Sequence, residues 1–442
     1  MSDSSTNQVS ANFSDYKPAF EDNAAVVESN RCLNCYDAPC IRECPTSIDI
    51  PGFIKKIASG NMRGSARVIL ESNILGASCA RVCPTEELCE GACVMHDLDE
   101  KPIDIGRLQR HATDRLVFDG EEKPLFTAAP KNGKRVALVG SGPASLGCAA
   151  ELVLLGYEAI CFEKATEPGG LNSFGIADYK MTYETAIKEI EWVQQLGVEI
   201  RCNQEVGKDI SVEQLQEDFD AVFIGIGLGG VGPIGIDGED LDGVRDSLEF
   251  IAELKTRPKE EMALHGKKVA VIGGGNTAID AVTQSARLGA DRVYLVYRRG
   301  PEAMGAYEHE QKLARKDGGI FVYNSQPVEI LGDDGTVTGL RCVRTETRHG
   351  SLEYIDGSEY DLDVDYVLRA TGQSKLTSFL EQFEGLAVED WGTVIVDEDG
   401  RTSLKNVWSG GDCTSGGQEV VNAVAEGKRA AQSIHQTLQG EH

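Results

Sequence analysis

The fold is decided by the stretch Arg135-Val136-Ala137-Leu138-Val139-Gly140-Ser141-Gly142-Pro143-Ala144-Ser145. Its first five residues are typical of a buried strand, and they run directly into a glycine-rich turn that opens a helix. Gly140 permits the tight turn, Gly142 lets a pyrophosphate approach the backbone, and Ser145 is small enough for close helix packing. The stretch therefore predicts the first βαβ unit of a dinucleotide-binding domain.

A carboxylate and a second turn extend this pattern. Glu163 ends the next strand, where an acid can accept hydrogen bonds from a ribose. A second strand of the same kind, at residues 268–272, leads into Gly273-Gly274-Gly275-Asn276-Thr277-Ala278 and another helix. Two nucleotide-binding units are implied.

The second unit does not fix which nicotinamide nucleotide it binds. Its second strand ends in Val296-Tyr297-Arg298-Arg299, without an acid. Guanidinium groups at this place favour the extra phosphate of NADPH, but an arginine pair is equally typical of a solvated face. NADH and NADPH therefore both stay open.

A late segment completes the first unit. Gly411-Asp412 is followed by Gly417-Gln418-Glu419-Val420-Val421 and a final helix from about Glu419 to Leu438. Asp412 fits a contact near the ribityl chain of FAD, and the N-terminus of the helix would stabilise an anionic reduced flavin. We expect this tail to fold back onto the first unit.

Eight of the 13 cysteines fall between Cys32 and Cys93. They form two groups, Cys32-x2-Cys35-x4-Cys40-x3-Cys44-Pro45 and Cys79-x3-Cys83-Pro84-x5-Cys89-x3-Cys93. Soft thiolates from short loops are the ligands of iron–sulfur clusters, and the last Cys of such a run, here Cys44, reaches the other cluster. Two structural zinc sites are the alternative, although zinc sites usually have two spaced Cys pairs.

Composition limits the function further. The 442 residues suffice for about three domains, and 49 Gly with 14 Pro fit an α/β protein. The net charge of −28 repels phosphate backbones and anionic membranes, so nucleic acid and membrane are not expected partners. The polar start at residues 1–6 has no signal-peptide pattern, which predicts a cytoplasmic protein.

We therefore predict an α/β fold with an N-terminal α-helical iron–sulfur domain and two Rossmann-like nucleotide-binding domains of the disulfide-reductase type. The predicted segments are a helical domain with two [4Fe–4S] clusters at 1–127, the first part of an FAD-binding domain at 128–245, an NAD(P)H-binding domain at 246–365, and the second part of the FAD-binding domain at 366–442.

Several motifs resemble dihydropyrimidine dehydrogenase over nearly the whole chain. They are Asp37-Ala38-Pro39-Cys40, Cys83-Pro84-Thr85, Ile103-Asp104-Ile105-Gly106-Arg107-Leu108-Gln109 and the two glycine turns. The chain resembles the electron-input subunit of the bacterial NAD-dependent enzyme, and more distantly the glutamate synthase small subunit. In this family a flavin mediates between nicotinamide and clusters.

The resemblance implies specific site residues. One [4Fe–4S] cluster would be held by Cys32, Cys35, Cys40 and Cys93, and the other by Cys44, Cys83, Cys89 and Gln109. An amide ligand leaves Cys79 spare, whereas spacing alone nominates Cys79 as the eighth ligand. FAD would contact Gly140, Ser141, Gly142, Pro143, Ala144, Glu163, Gly169, Gly170, Leu171, Lys180, Val206, Gly411, Asp412, Glu419, Val420 and Val421. The nicotinamide nucleotide would contact Gly274, Gly275, Asn276, Thr277, Arg298, Arg299, Ala370, Thr371 and Gly372.

The implied function is electron input. NAD(P)H would give a hydride to FAD in a cleft between the nucleotide domains, and electrons would leave singly through the clusters. No acid–base residue is required, so no catalytic residue is predicted. The chain ends at His442, so a separate FMN and iron–sulfur subunit would reduce uracil or thymine in a hetero-oligomer. The alternatives are a small subunit of glutamate synthase or of an electron-bifurcating NAD(P)H transhydrogenase, and a redox-sensing or structural iron–sulfur protein.

Overall fold

The computed structural model describes residues 9–118 and 124–440, so the polar start and part of the linker after residue 118 lie outside the described residues. The chain divides into two compact units. Unit 1 comprises the residues up to Tyr16, Phe174–Thr182 and Gly229–Ser374, and unit 2 comprises Lys17–Ser173, Tyr183–Leu228 and the residues from Lys375 onward.

The four predicted segments distribute over these units. The predicted NAD(P)H-binding segment, 246–365, lies wholly in unit 1. Most of the predicted helical segment and most of both FAD segments share unit 2. The exceptions belong to unit 1: residues 9–16 from the predicted helical domain, 174–182 and 229–245 from the first FAD segment, and 366–374 from the second.

The amino-terminal part of unit 2 is helical. Its described residues up to 127 contain no strand, as predicted. Two helices begin at side-chain caps, because Asp49 accepts a hydrogen bond from the amide of Gly52 and Asn61 accepts one from the amide of Gly64. The helices are α1 (Asp22–Asn30), α2 (Pro39–Arg42), α3 (Ile50–Ala58), α4 (Met62–Ser72), α5 (Gly76–Val82) and α6 (Ile105–Val117).

A five-stranded parallel sheet forms the rest of unit 2. Its order is β14-β4-β1-β2-β3. The strands are β1 (Arg135–Val139), β2 (Glu158–Phe162), β3 (Glu199–Arg201), β4 (Ala221–Ile224) and β14 (Val407–Ser409). Because β14 pairs with β4, the tail folds back onto the sheet of unit 2 that contains the first glycine turn, as predicted. The helices that follow are α7 (Pro143–Leu154), α8 (Leu171–Phe174), α9 (Tyr183–Gln194), α10 (Val212–Asp218), α14 (Thr377–Leu380), α15 (Asp412–Ser415) and α16 (Val420–Gln439).

Unit 1 contains a second five-stranded parallel sheet, in the order β5-β13-β6-β7-β8, and an antiparallel sheet in which β10 pairs with β9, β11 and β12. The strands are β5 (Val244–Asp246), β6 (Lys268–Ile272), β7 (Arg292–Val296), β8 (Gly319–Val322), β9 (Ser325–Asp333), β10 (Thr336–Arg348), β11 (Ser351–Tyr354), β12 (Tyr360–Asp363) and β13 (Tyr366–Arg369). Its helices are α11 (Ser247–Thr256), α12 (Asn276–Arg287) and α13 (Glu308–Lys316). Among the described residues, no helix combines the length and apolar character needed to cross a bilayer.

Two glycines bring α7 and α16 into close contact. A Cβ on Gly427 would lie 2.0 Å from the carbonyl oxygen of Ala144, and one on Gly147 would lie 3.0 Å from the carbonyl oxygen of Val424. Backbone therefore packs on backbone here, beside the first glycine turn. The contact fixes the start of α16 relative to that turn.

We predict that Gly427→Ala destabilises unit 2. The added methyl group would overlap the Ala144 carbonyl, and overpacking of a tight interface costs about 1–3 kcal/mol. Denaturant unfolding followed by circular dichroism measures the loss. Gln436→Ala, at an exposed position of the same helix, is the control and should leave the midpoint unchanged. Equal midpoints for both variants would contradict the packing argument.

Candidate functional site

The four cysteines that the resemblance assigns to the first cluster line one pocket. Cys32, Cys35, Cys40 and Cys93 all face a pocket of about 380 Å³ of empty volume, between the loop that joins α1 and α2 and the segment that follows α5. The remaining lining is mostly apolar and includes Ile50, Ile54, Met95, Ile103 and Ile105. These are the four cysteines that the resemblance groups together.

Burial makes these thiols poor thiolates by themselves. Burial raises the pKa of Cys32, and burial with the neighbouring Cys32 thiol raises the pKa of Cys40 to about 12. Because burial disfavours a charged thiolate, a cation is needed to hold such thiols deprotonated, and cysteine binds metals in this thiolate form. The donor set fits iron in an apolar pocket.

The second thiol group centres on Cys83. A hydrogen bond with Cys79 is the main reason that the pKa of Cys83 is raised, and burial is the second. The Cys89 and Cys44 thiols raise this pKa further. Burial also raises the pKa of Cys89. Cys44, which is buried, and Cys83 and Cys89, which are half-buried, thus form a second group, with the buried Cys79 beside it.

Gln109 and Cys79 are the two candidates for the eighth cluster ligand. The Nε2 group of Gln109 donates to the carbonyl oxygen of Gly76 at 2.8 Å, and no donor among the described residues reaches its Oε1. Asn73 Nδ2 donates to Cys79 Sγ at 3.1 Å. Gln109 therefore has an unused acceptor oxygen, whereas the sulfur of Cys79 already has a partner.

The spacing of the thiols bears on the zinc alternative. Within residues 9–118 and 124–440, no three His, Cys, Asp or Glu side chains converge closely enough to hold a single metal ion. Zinc draws thiolates to about 2.3 Å from one centre.

The first glycine turn has the shape of a pyrophosphate cradle. Gly140 has φ +89°, and a Cβ there would lie 2.7 Å from the carbonyl oxygen of Gly225. A Cβ on Gly142 would meet nothing within 4 Å, so the turn leaves open space in front of the N-terminus of α7. FAD fits this cradle, since a pyrophosphate needs backbone amides and an absent side chain.

Glu163 is bonded to the turn itself. Its Oε2 accepts hydrogen bonds from Ser141 N at 3.0 Å and Ser141 Oγ at 2.7 Å, and its Oε1 accepts one from Ala165 N at 2.9 Å. The amide of Gly169 donates to Ser141 Oγ at 3.1 Å. A carboxylate has about four acceptor positions, so one remains for a ribose hydroxyl.

Glu426 organises the late segment, although the sequence analysis did not select it. Its Oε2 accepts hydrogen bonds from the amide of Gly411 at 2.6 Å and from Thr414 Oγ1 at 3.3 Å. Asp412 Oδ1 accepts one from the amide of Gln418 at 3.0 Å, and burial raises the pKa of Asp412. No local signal in the sequence marks Glu426, because the donors that it binds lie 15 and 12 residues earlier in the chain.

The other residues predicted to bind FAD lie in both units. Gly170 abuts Gly142, since a Cβ on Gly170 would lie 3.2 Å from the Gly142 Cα. Lys180 belongs to unit 1, where its Nζ lies 2.8 Å from Asp280 and 2.6 Å from Glu310. Burial opposes its charge, but the carboxylates outweigh burial and raise its pKa. Gly169, Leu171, Val206, Glu419, Val420 and Val421 lie in unit 2.

The second glycine turn, in unit 1, forms a comparable cradle. A Cβ on Gly274 would clash with the Tyr297 ring at 2.4 Å, whereas one on Gly275 would meet nothing within 4 Å. Asn276 Oδ1 accepts a hydrogen bond from the amide of Tyr307 at 3.1 Å. The open side at Gly275 leaves room for a second dinucleotide.

Two guanidinium groups flank this cradle. Arg298 and Arg299 are exposed just after β7, and within the described residues neither side chain has an ion-pair or hydrogen-bond partner. The carbonyl oxygen of Ala370 closes the turn, 2.3 Å from where a Cβ on Gly273 would lie. Thr371 and Gly372 follow at the exposed end of β13.

Comparisons with known proteins agree with this arrangement. Residues 9–120 match the family described as dihydropyrimidine dehydrogenase domain II, 4Fe-4S cluster, and residues 134–427 match pyridine nucleotide-disulphide oxidoreductase. The glutamate synthase [NADPH] small chain of Escherichia coli K12 is 34% identical, over 96% of this chain and 93% of its own. The NAD-dependent dihydropyrimidine dehydrogenase subunit PreT of the same strain is 34% identical over 96% of both chains. Thioredoxin reductase of T. acidophilum shares the fold, with a TM-score of 0.55 at 22% identity over 69% of this chain and 98% of its own.

Fold, site and matches define a flavin-dependent pyridine nucleotide oxidoreductase with an iron–sulfur domain. The chain belongs to the pyridine nucleotide-disulphide oxidoreductase family. The predicted fold class is confirmed. The predicted cofactors, FAD, [4Fe–4S] and NAD(P)H, fit these domains.

Substitutions that fill one glycine cradle at a time should distinguish the flavin site from the nicotinamide nucleotide site. We predict that Gly142→Val yields folded protein without flavin absorbance, because the side chain would occupy the open space in front of α7. Gly275→Val should retain flavin but lose its bleaching by NAD(P)H. Each variant is the control for the other, with visible spectra and circular dichroism as measurements. Flavin loss in both, with folding intact, would contradict the assignment of separate cradles.

Proposed function

We propose that this chain is the electron-input subunit of a dihydropyrimidine dehydrogenase, passing electrons from NAD(P)H through FAD and two [4Fe–4S] clusters to a partner FMN subunit that reduces uracil or thymine. One observation carries the proposal. Two groups of buried or half-buried thiols and two open glycine cradles occur in a single chain. A redox sensor or structural iron–sulfur protein would leave both cradles unused.

The side chains have defined tasks in this proposal. Cys32, Cys35, Cys40 and Cys93 would hold one cluster, and Cys44, Cys83, Cys89 and Gln109 the other. FAD, when bound, can accept two electrons from a nicotinamide and release them singly. The Gly140–Ala144 backbone would bind its pyrophosphate, and Glu163 its ribose.

The remaining residues orient and discriminate. Glu426 holds the amide of Gly411 and so positions Asp412 and the start of α16. The partial positive charge at that helix end would stabilise negative charge on a reduced flavin. The exposed guanidinium groups of Arg298 and Arg299 would bind the nucleotide phosphate. In this scheme the chain places and holds groups, and no side chain is needed as a general acid or base.

A second function has support as well. The glutamate synthase small chain and PreT are each 34% identical to this chain over 96% of its length, so identity does not separate them. The motifs at Asp37–Cys40 and Cys83–Thr85 favour the pyrimidine branch. In the structure, Thr85 is buried, and its Cγ2 would lie 3.1 Å from a Cβ on Gly106. We place the proposed complex in the cytoplasm.

The upstream half of the proposal predicts a spectral sequence. Anaerobic addition of NADH or NADPH should bleach the flavin, and EPR signals of reduced clusters should follow.

The double variant Arg298→Ala with Arg299→Ala should raise the KM for NADPH about tenfold, with a smaller effect on NADH, since one charged hydrogen bond contributes about 1.5–3 kcal/mol. A flavin that neither nucleotide bleaches would refute the proposal.

The downstream half depends on the partner. Mixed with an FMN-containing pyrimidine-reducing subunit, the chain should form a complex in which NAD(P)H oxidation requires uracil or thymine. The control mixture contains a glutamate synthase large chain with glutamine and 2-oxoglutarate. Size-exclusion chromatography and nucleotide absorbance measure both. Activity only in the second mixture would replace the dihydropyrimidine assignment with the glutamate synthase one.

A further inference from the structure

A buried carboxylate in unit 2 has no role in the account so far. Glu189 lies on α9 and is 1% exposed. Its Oε1 accepts a hydrogen bond from Ala77 N at 2.8 Å, both of its oxygens accept from Ser78 N at 3.1 Å, and its Oε2 also accepts from Ser78 Oγ. One carboxylate thus binds three donors on the helix that carries Cys79.

The same short segment is bonded to two other predicted sites. Asn172 Nδ2, next to the predicted flavin contact Leu171, donates to Ser78 Oγ at 3.2 Å. Gln109 Nε2 donates to Gly76 O at 2.8 Å. Residues 76–78 are therefore hydrogen-bonded to Asn172, to the proposed cluster ligand Gln109 and to Glu189. Asn172 and Ser78 are almost fully buried.

We infer that Glu189 is a positioning residue that tunes the second iron–sulfur cluster, lowering its potential when ionised and taking up one proton from solvent as the cluster takes up one electron. The inference rests on the proposed function. A negative charge next to a redox centre in a poorly hydrated interior opposes the arrival of an electron. Glu189 is bonded to segment 76–78, whose Gly76 carbonyl accepts a hydrogen bond from the proposed ligand Gln109, and hydrogen bonds around ligands are a common means of such tuning.

The charge state of Glu189 is balanced finely enough for this role. Burial raises its pKa to about 7, against the opposing effects of its Ser78 and Ala77 hydrogen bonds and of Arg81. Arg81 is itself paired with Asp114 at 2.8 Å. Addition of an electron nearby would raise the pKa of Glu189 further, so reduction and protonation would occur together above pH 7.

Redox titration of the anaerobic holoprotein at pH 6 and pH 9 tests the inference, with both clusters followed by EPR. In the wild type the second cluster should have a lower midpoint potential at pH 9 than at pH 6. A tenfold change in proton concentration converts to about 59 mV for one electron, which is the maximum slope per pH unit. The first cluster is the internal reference.

Glu189→Gln removes the charge; its amide oxygen can still accept from Ala77 N and Ser78 N, while its amide nitrogen donates to Ser78 Oγ in place of the bond that the carboxylate accepts. We expect its second cluster to have the same potential at both pH values, equal to that of the wild type at pH 6. Glu191→Gln removes an exposed carboxylate from the same helix and should titrate like the wild type. If Glu189→Gln fails to fold, Ser78→Ala serves instead: loss of the hydroxyl that lowers the pKa of Glu189 should move the pH dependence of the second cluster's potential to higher pH, and an unchanged profile would contradict the inference.

Failure of the inference and failure of the proposed function give different results. If the electron-input part of the proposed function is wrong, iron is absent or NAD(P)H does not bleach the flavin. If only the inference is wrong, both clusters form and NAD(P)H reduces them, but the second cluster of the wild type has the same potential at pH 6 and pH 9. An identical pH slope in the wild type and Glu189→Gln would also overturn it.

Discussion

Burial of thiol groups in an apolar helical domain is the constraint on which the rest of the structure depends. Cys44 and Cys79 belong to the core of this domain, and five of the other cysteines pack against the same core. Thiolates do not persist in such surroundings without a cation, as the raised pKa of Cys40 illustrates. Binding of a metal centre would therefore complete the core as well as supply redox chemistry, which couples folding to cofactor loading.

The nucleotide domains obey a related constraint, since each needs an absent side chain where a phosphate approaches. Gly142 and Gly275 leave that space open, whereas Gly140 and Gly273 are the positions where backbone closes on backbone. The packing of α7 on α16 through Gly147 and Gly427 then brings the late segment to the first cradle. Glycine thus determines both where the nucleotides fit and which distant segment meets them.

Much of this was predictable from local sequence. The strands at 135–139 and 268–272, the helical character of the N-terminal segment and the final helix follow from periodicity and glycine turns. These features depend on residues close together in the chain. The family resemblance, and not local spacing, grouped Cys93 with Cys32, Cys35 and Cys40, and these four thiols line one pocket.

The missed features depend on contacts between distant residues. Glu189 and Glu426 are ordinary helical glutamates until folding buries them against donors more than ten residues away. Likewise, nothing local in 9–16 or 174–182 indicates that these segments join the Gly229–Ser374 unit. Hydrogen-bond partners of buried carboxylates are set by tertiary packing, which a single sequence does not display.

The central claim, that the amino-terminal thiols hold iron–sulfur clusters, is tested most directly by the metal and acid-labile sulfide content of protein purified without oxygen. The account predicts about eight iron and eight sulfide per chain, as two [4Fe–4S] clusters require, without zinc. Stoichiometric zinc without sulfide, or a folded protein free of metal, would contradict it.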